Sequence, residues 1–341
     1  MDTNFAAFLT GHMKKPLVVE EAEDRFADEN EIVIKNAAVA MNRIDIAFQE
    51  FPWSIFNYPL ILGVDVAGEV VEVGSQASQF SVGDRVIGHA LRLATEDDRH
   101  GGFQKYTVLM SNMACVIPPS LPYENAVVLP LSISTAAAAL FQKDTMALQP
   151  PTVYPEEKDI WIIVLGGTGS VGSNGVRLAV AAGYKVITTA STRSFSLARQ
   201  LGATEVVDYK HPDVANELAR ILSGKEIGGA FDGNGQPDTI KTAIEAVSKC
   251  NGNRFVTTVG DWIDPSWVSR DVKAKAIMGI SIRDNEVGQM VYEGFLQNAL
   301  AAERYMKYPE PLVFGEGLGS IQDALEKSKD SKGKKVVVTI K

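Results

Sequence analysis

The stretch that most constrains this chain runs from Asp159 to Arg193. An apolar run, Ile160–Leu165, stops at Gly166-Gly167, and small residues with helical spacing follow from Ser170 to Ala182. Gly183 stands where such a helix would end, and a second apolar run, Lys185–Ala190, comes next. Strand, glycine turn, helix and strand in this order demand a parallel sheet with helices on its faces. The segment Gly167-Thr168-Gly169-Ser170-Val171-Gly172 fits the pattern G-x-G-x-x-G. Glycines there let the backbone approach a diphosphate closely, and the helix N-terminus presents unpaired N–H groups to the anion. These six residues are therefore expected to bind a dinucleotide. The same pattern without flanking strands would be no more than a flexible turn.

The rest of the chain divides in texture. At 341 residues it is long enough for two domains, each with its own core. Before residue 130, short runs of β-formers are separated by glycine turns. They include Glu31 to Lys35 running on to Val39, a glycine-punctuated strand pair over Leu62 to Gly74, and a strand opening at Gly101 to Val108. This spacing predicts a compact β-barrel-like domain. The polar interruption Met41 to Asp45 reads as a turn. Glu124 to Leu140 is Ala-rich and helical, and from Asp159 onward strands and helices alternate. That alternation predicts a doubly wound parallel sheet, with strands at Glu205 to Tyr209, Ala230 to Asp232 and Arg254 to Gly260.

A net charge of −9 argues against a nucleic-acid or anionic-membrane partner, since both require a basic face. Cys115 and Cys250 are too few for a disulfide framework. No apolar run of signal-peptide or membrane-spanning length is evident, so the cytoplasm is the expected location.

Cofactor choice is read at the end of the second strand. An acid there would accept from the ribose 2′-OH of NAD and repel the 2′-phosphate of NADP. Here the strand ends in Ser191-Thr192-Arg193-Ser194, with hydroxyls, a guanidinium and no acid. Arginine can meet a phosphate with two parallel charge-assisted hydrogen bonds. Tyr209, after the third strand, is placed to close over the same end. The expected cofactor is NADPH.

With these residues in view, the sequence resembles the medium-chain dehydrogenase/reductase superfamily over nearly its whole length. The resemblance rests on Gly63-x-Asp65-x-x-Gly68-x-Val70, Val82-Gly83-Asp84-Arg85-Val86, Gly102-Phe103-Gln104-x-Tyr106, Ile133-Ser134-Thr135-Ala136, the glycine turn, Gly202-Ala203 and Gly333-Lys334-Lys335-Val336-Val337. It implies a GroES-like β-rich substrate domain over 1–130, a Rossmann cofactor domain over 131–295, and a return to the first domain over 296–341. Substrate would lie in the cleft between them. The zinc-dependent members carry a cysteine ligand and a His-Glu pair where this chain has Asn42-Arg43-Ile44-Asp45 and Val64-Asp65. Its four histidines are scattered singly, so no metal site is expected.

What remains resembles the zinc-free branch, and within it the trans-acting enoyl reductases that partner fungal polyketide synthases. These reduce the α,β double bond of a carrier-bound enoyl chain. Members often show N-P-S-D-T-K after the first-domain strand; this chain has Asn42-Arg43-Ile44-Asp45-Ile46-Ala47, with Ala47 at the lysine position. By resemblance, Asn42 and Ile44 to Ala47 would line the nicotinamide pocket. Thr257, Thr258, Val259 and Gly260 would contact the nicotinamide half. Thr135 would lie near the nicotinamide and the substrate carbonyl, a role compatible with a helix N-cap, and Tyr58 is a candidate proton donor. An enoyl substrate on an acyl carrier protein is the expected partner. A quinone or alkenal reductase, and a non-catalytic NADPH-binding protein, are the alternatives. Lys273, Lys275 and Arg283 flank the expected edge strand, Ala274 to Ile282, and tilt the reading toward a monomer.

Overall fold

The structure, a computed structural model, describes residues 3–23, 25–51 and 57–340. The chain forms two units: Met1–Leu131 with Tyr292–Ala301 and Lys307–Lys341, and Ser132–Val291 with Ala302–Met306.

The first unit is β-rich. Its strands are β1 (Phe5–Leu9), β2 (Val18–Glu21), β3 (Glu31–Ala40), β4 (Leu60–Ile61), β5 (Asp65–Val73), β6 (Arg85–His89), β7 (Tyr106–Met110) and β8 (Ala114–Val116). The run from Leu62 to Gly74 is not a strand pair. It holds one strand, β5, with Gly68 inside it, antiparallel to β3. A Cβ on Gly68 would lie 2.1 Å from the Lys35 carbonyl oxygen, so this glycine answers a close approach of strands rather than a turn. Met41 to Asp45 is not a turn either: Asn42 caps helix α1 (Arg43–Glu50). Ile32, Ile34, Val66, Val86 and Leu109 pack into a single core. Each such side chain, fully buried, contributes about 1.5–3 kcal/mol.

Helix α2 (Pro130–Phe141) leads out of this unit. By length and composition, Tyr123–Phe141 would span a membrane, which the sequence reading did not anticipate; 83% of that window is buried inside the fold. It is a core segment.

The second unit alternates. Strand β9 (Ile160–Leu165) gives way to α3 (Ser170–Ala181), then β10 (Lys185–Ala190), α4 (Phe195–Gln200), β11 (Glu205–Asp208) and α5 (Val214–Ile221). Strand β12 (Glu226–Asp232), α6 (Pro237–Ser248), β13 (Asn251–Gly252), β14 (Phe255–Thr258) and β15 (Lys273–Ala276) complete it. The sheet runs β11-β10-β9-β12-β14-β15, every pair parallel. Its buried strands read as near-continuous apolar runs because helices cover both faces. The edge strand is shorter than expected: β15 stops at Ala276, and Gly279–Asp284 is a 3-10 helix.

The chain then returns to the first unit as β16 (Pro311–Glu316), helix α7 (Ile321–Ser328) and β17 (Lys335–Thr339). Strand β17 lies beside β3 in the order β16-β17-β3-β5-β6-β8. The short segment Ala302–Met306, which the sequence reading gave to the first domain, belongs to the second unit. The reason is Tyr305, whose hydroxyl donates to Asn174 Oδ1 at 2.6 Å while the Arg177 guanidinium stacks 4.3 Å over its ring.

Candidate active site

In the second unit, the expected cofactor residues gather at one edge of the sheet. Gly166 to Gly172 follow β9, Ser191 to Ser194 follow β10, Tyr209 follows β11, and Val259-Gly260 follow β14. All leave the carboxyl ends of parallel strands. The order of strands reverses between β9 and β12, and in such sheets ligands bind at that switch point.

The glycines of the turn answer three different demands. A Cβ on Gly167 would lie 2.0 Å from Thr188 Oγ1, and one on Gly172 would lie 2.2 Å from the Gly166 carbonyl oxygen. Both positions are closed by packing within the turn. Gly169 is exposed, and a Cβ there would meet only the Gly166 oxygen, at 3.3 Å. Its outer face is open. Next to it, Ser170 Oγ at the start of α3 is buried with no hydrogen-bond partner among the described residues. An open glycine, an unpaired hydroxyl and the first N–H groups of a helix form a cradle that fits a diphosphate.

After β10, Ser191 Oγ and Ser194 Oγ lie 3.0 Å apart, and Thr192 and Arg193 are exposed. Tyr209 is 55% exposed, and its backbone N–H donates to the Ala190 carbonyl at 3.2 Å, which fixes it beside the end of β10. Thr257 and Thr258 turn inward. The Thr257 hydroxyl donates to the Ala230 carbonyl at 3.3 Å and that of Thr258 to Asp232 at 3.0 Å. Of that group of four, Val259 and Gly260 reach the surface. Thr135 is buried inside α2 rather than at its N-cap, because the helix begins at Pro130. Gly279 packs against it; a Cβ there would touch Thr135 Oγ1 at 2.7 Å.

The first unit holds a polar cluster that sequence spacing did not reveal. Asp65 is fully buried, and three groups donate to it. These are Leu131 N at 2.6 Å, Asn42 Nδ2 at 2.9 Å and the Lys335 ammonium at 2.9 Å. Lys335 also donates to Asn42 Oδ1. Leu131 N belongs to the first turn of α2, where no intrahelical partner exists, so Asp65 serves that helix from a distant strand. Asp45, also fully buried, accepts from Asn42 N at 2.9 Å and Gly63 N at 3.1 Å. Burial, and secondarily the Asp65 charge, push its carboxyl up to about 7 against the hydrogen bonds that favour ionisation. His89 stands opposite Asp65 in the β5–β6 register. Both its ring nitrogens lack partners among the described residues, and burial pulls its pKa down to about 4.

Around this cluster, Ile44, Ile46 and Ala47 on α1 are half-buried. Tyr58 packs against the same core, its hydroxyl buried without a partner among the described residues. Among those residues, no group of three or more His, Cys, Asp or Glu could hold a metal ion.

The family described as "Alcohol dehydrogenase GroES-like domain" matches residues 28–119, and that described as "Zinc-binding dehydrogenase" matches residues 170–291. The chain is 42% identical over 339 residues to the "Zinc-binding alcohol dehydrogenase domain-containing protein cipB" of Emericella nidulans, covering 99% of this chain and 98% of that protein. It is 36% identical over 313 residues to the "Trans-enoyl reductase himH" of Aspergillus japonicus, covering 91% of this chain and 90% of that one. Among solved structures, the CurK enoyl reductase superimposes with a TM-score of 0.74 over the whole of both chains, at 21% identity.

Proposed function

We propose that this chain, which belongs to the medium-chain dehydrogenase/reductase superfamily, uses NADPH to reduce the α,β double bond of an enoyl thioester, acting in trans on a chain held by a polyketide synthase. The observation that carries the reading is the state of Asp65. It stands where zinc-dependent members place a metal-site pair, and here an ammonium, an amide and a backbone N–H already occupy its oxygens. Its charge is already met by a buried ammonium, which would repel a metal cation placed beside it, and this supports chemistry without a Lewis acid. The relative named a trans-enoyl reductase supports the same reaction class.

When bound, NADPH supplies a hydride to the β-carbon. The chain does the rest by holding and by donating hydrogen bonds. Gly167 to Gly172 hold the diphosphate, and Ser191, Thr192, Arg193, Ser194 and Tyr209 hold the 2′-phosphate. Val259 and Gly260 would contact the nicotinamide half. The Asn42 amide is engaged by Lys335 and Asp65, so its part is to set the first turn of α1. Thr135 donates to the substrate carbonyl oxygen as negative charge develops there. Tyr58, whose hydroxyl has no partner among the described residues, delivers the proton to the α-carbon.

NADPH oxidation with a substrate panel tests this. Turnover on crotonyl and longer enoyl thioesters is expected. Turnover on quinones or alkenals alone would replace the proposal with a small-molecule reductase, and binding without turnover would remove the activity altogether.

A further inference from the structure

The carboxyl end of β12 carries an arrangement that the function above leaves unused. Asp232, fully buried there, accepts four hydrogen bonds. They come from the backbone N–H groups of Asn234 at 3.1 Å and Gly235 at 3.0 Å, and from the hydroxyls of Thr239 at 3.1 Å and Thr258 at 3.0 Å. One carboxylate thus fixes the turn between β12 and α6 and ties it to the end of β14.

The turn is also wedged on both sides. A Cβ on Gly233 would lie 3.0 Å from the Gly172 backbone, and one on Gly235 would lie 2.7 Å from Gly260 N. It fills the space between the glycine turn after β9 and the loop after β14. Its backbone has little freedom left.

One side chain on this turn has nothing to do. Asn234 is exposed, and its amide makes no hydrogen bond within the described residues. It stands over Gly166. A Cβ built on that glycine would meet Asn234 Oδ1 at 2.6 Å and Nδ2 at 2.7 Å. Gly166 N in turn donates to Thr189 Oγ1 on β10 at 3.0 Å. The amide therefore sits at the switch point, beside the glycine of the turn that is anchored to β10, the strand whose end carries Ser191 to Ser194.

We infer that Asn234 is a cofactor-binding residue whose side-chain amide hydrogen-bonds the adenosine half of the dinucleotide. The inference rests on the dinucleotide reading of this site and extends it by one residue. A diphosphate only accepts hydrogen bonds. An amide that both donates and accepts is matched instead by a ribose hydroxyl or a base edge. The Asp232 clamp fixes the Asn234 backbone before the ligand arrives, so the turn that carries the amide need not be ordered on binding.

The test is calorimetric titration with adenosine 2′,5′-bisphosphate, which carries the adenosine half alone, and with NADPH. Asn234→Ala removes a side chain that bonds nothing in the chain, so its unfolding midpoint should match the wild type. It should weaken both ligands by a similar factor, about fivefold to tenfold for one lost hydrogen bond. Unchanged affinity for the bisphosphate overturns the inference, including the case where NADPH alone weakens. If the wild-type protein binds neither ligand, the dinucleotide reading itself fails, a result distinct from a silent Asn234→Ala.

Discussion

The Lys335 ammonium lies 2.9 Å from a carboxylate oxygen of Asp65, with Lys335 7% exposed and Asp65 fully buried. Neither charge could be left there alone. Removing one partner of such a pair strands the other in a medium that solvates it poorly, at a cost of about 3–5 kcal/mol. Lys335→Met should lower stability by that amount in urea titration. The double variant Lys335→Met with Asp65→Asn should recover most of it, since no unpaired charge remains. A double variant as unstable as the single one would show that the pair acts by more than charge.

Asp45 and His89 give opposing pH dependences. The Asp45 carboxyl titrates near 7 in the folded chain against 3.8 unfolded, so between those values the native state binds more protons. Its contribution is full below about 4 and is lost as pH rises through 7. His89 titrates near 4 folded against 6.5 unfolded, so there the unfolded state binds more protons. Its contribution is full above about 6.5 and is lost as pH falls toward 4. Between about pH 4 and 6.5 the two slopes offset. In His89→Leu the Asp45 slope stands uncovered. Relative to wild type, the variant should lose up to about 1.4 kcal/mol per pH unit as pH rises across this window. Parallel curves for the two proteins would refute the assignment.

On the proposed role of Arg193 at the 2′-phosphate, Arg193→Ala should raise KM for NADPH at least about tenfold while leaving that for NADH nearly unchanged. Equal changes for both cofactors would remove the case for NADPH.

The glycines of the turn should separate packing from ligand approach. Gly172→Ala places a methyl 2.2 Å from the Gly166 oxygen and should lose both stability and cofactor affinity. Gly169→Ala points a methyl toward the open side and should keep the unfolding midpoint while weakening NADPH. If both variants lower the midpoint together, the open face does not receive the diphosphate.

Sequence reading succeeded where local pattern and final environment agree. Strands β9 and β10 read at their observed limits because β9 is a continuous apolar run stopped by Gly166-Gly167, and β10 is a run of β-branched residues, Val186 to Thr189, that follows Gly183. Helix α1 reads as a turn in the sequence although a local capping box, Asn42 with Asp45, marks its start. Asp45 turns back to Asn42 but also accepts from Gly63, well downstream in the sequence. An N-cap is compatible with the Thr135 reading in the sequence because nothing nearby shows that Asp65, on another strand, meets the first turn of α2 at Leu131. Val64-Asp65 was read as a missing metal site; that the same aspartate would gain an ammonium could not be read from spacing. Asn234 lies in Asp232-Gly233-Asn234-Gly235, which looks like an ordinary turn until the sheet order places it beside Gly166.

Lys335 reaches Asn42 across 293 positions of sequence, and β17, which carries it, pairs with β3. On the ribosome, the two units therefore complete in the opposite order to their beginnings. Every residue of the second unit, through Met306, emerges before Lys335 does. Until then β3 keeps an open edge, and Asp65 waits without its counter-charge. The β-rich unit starts first and finishes last.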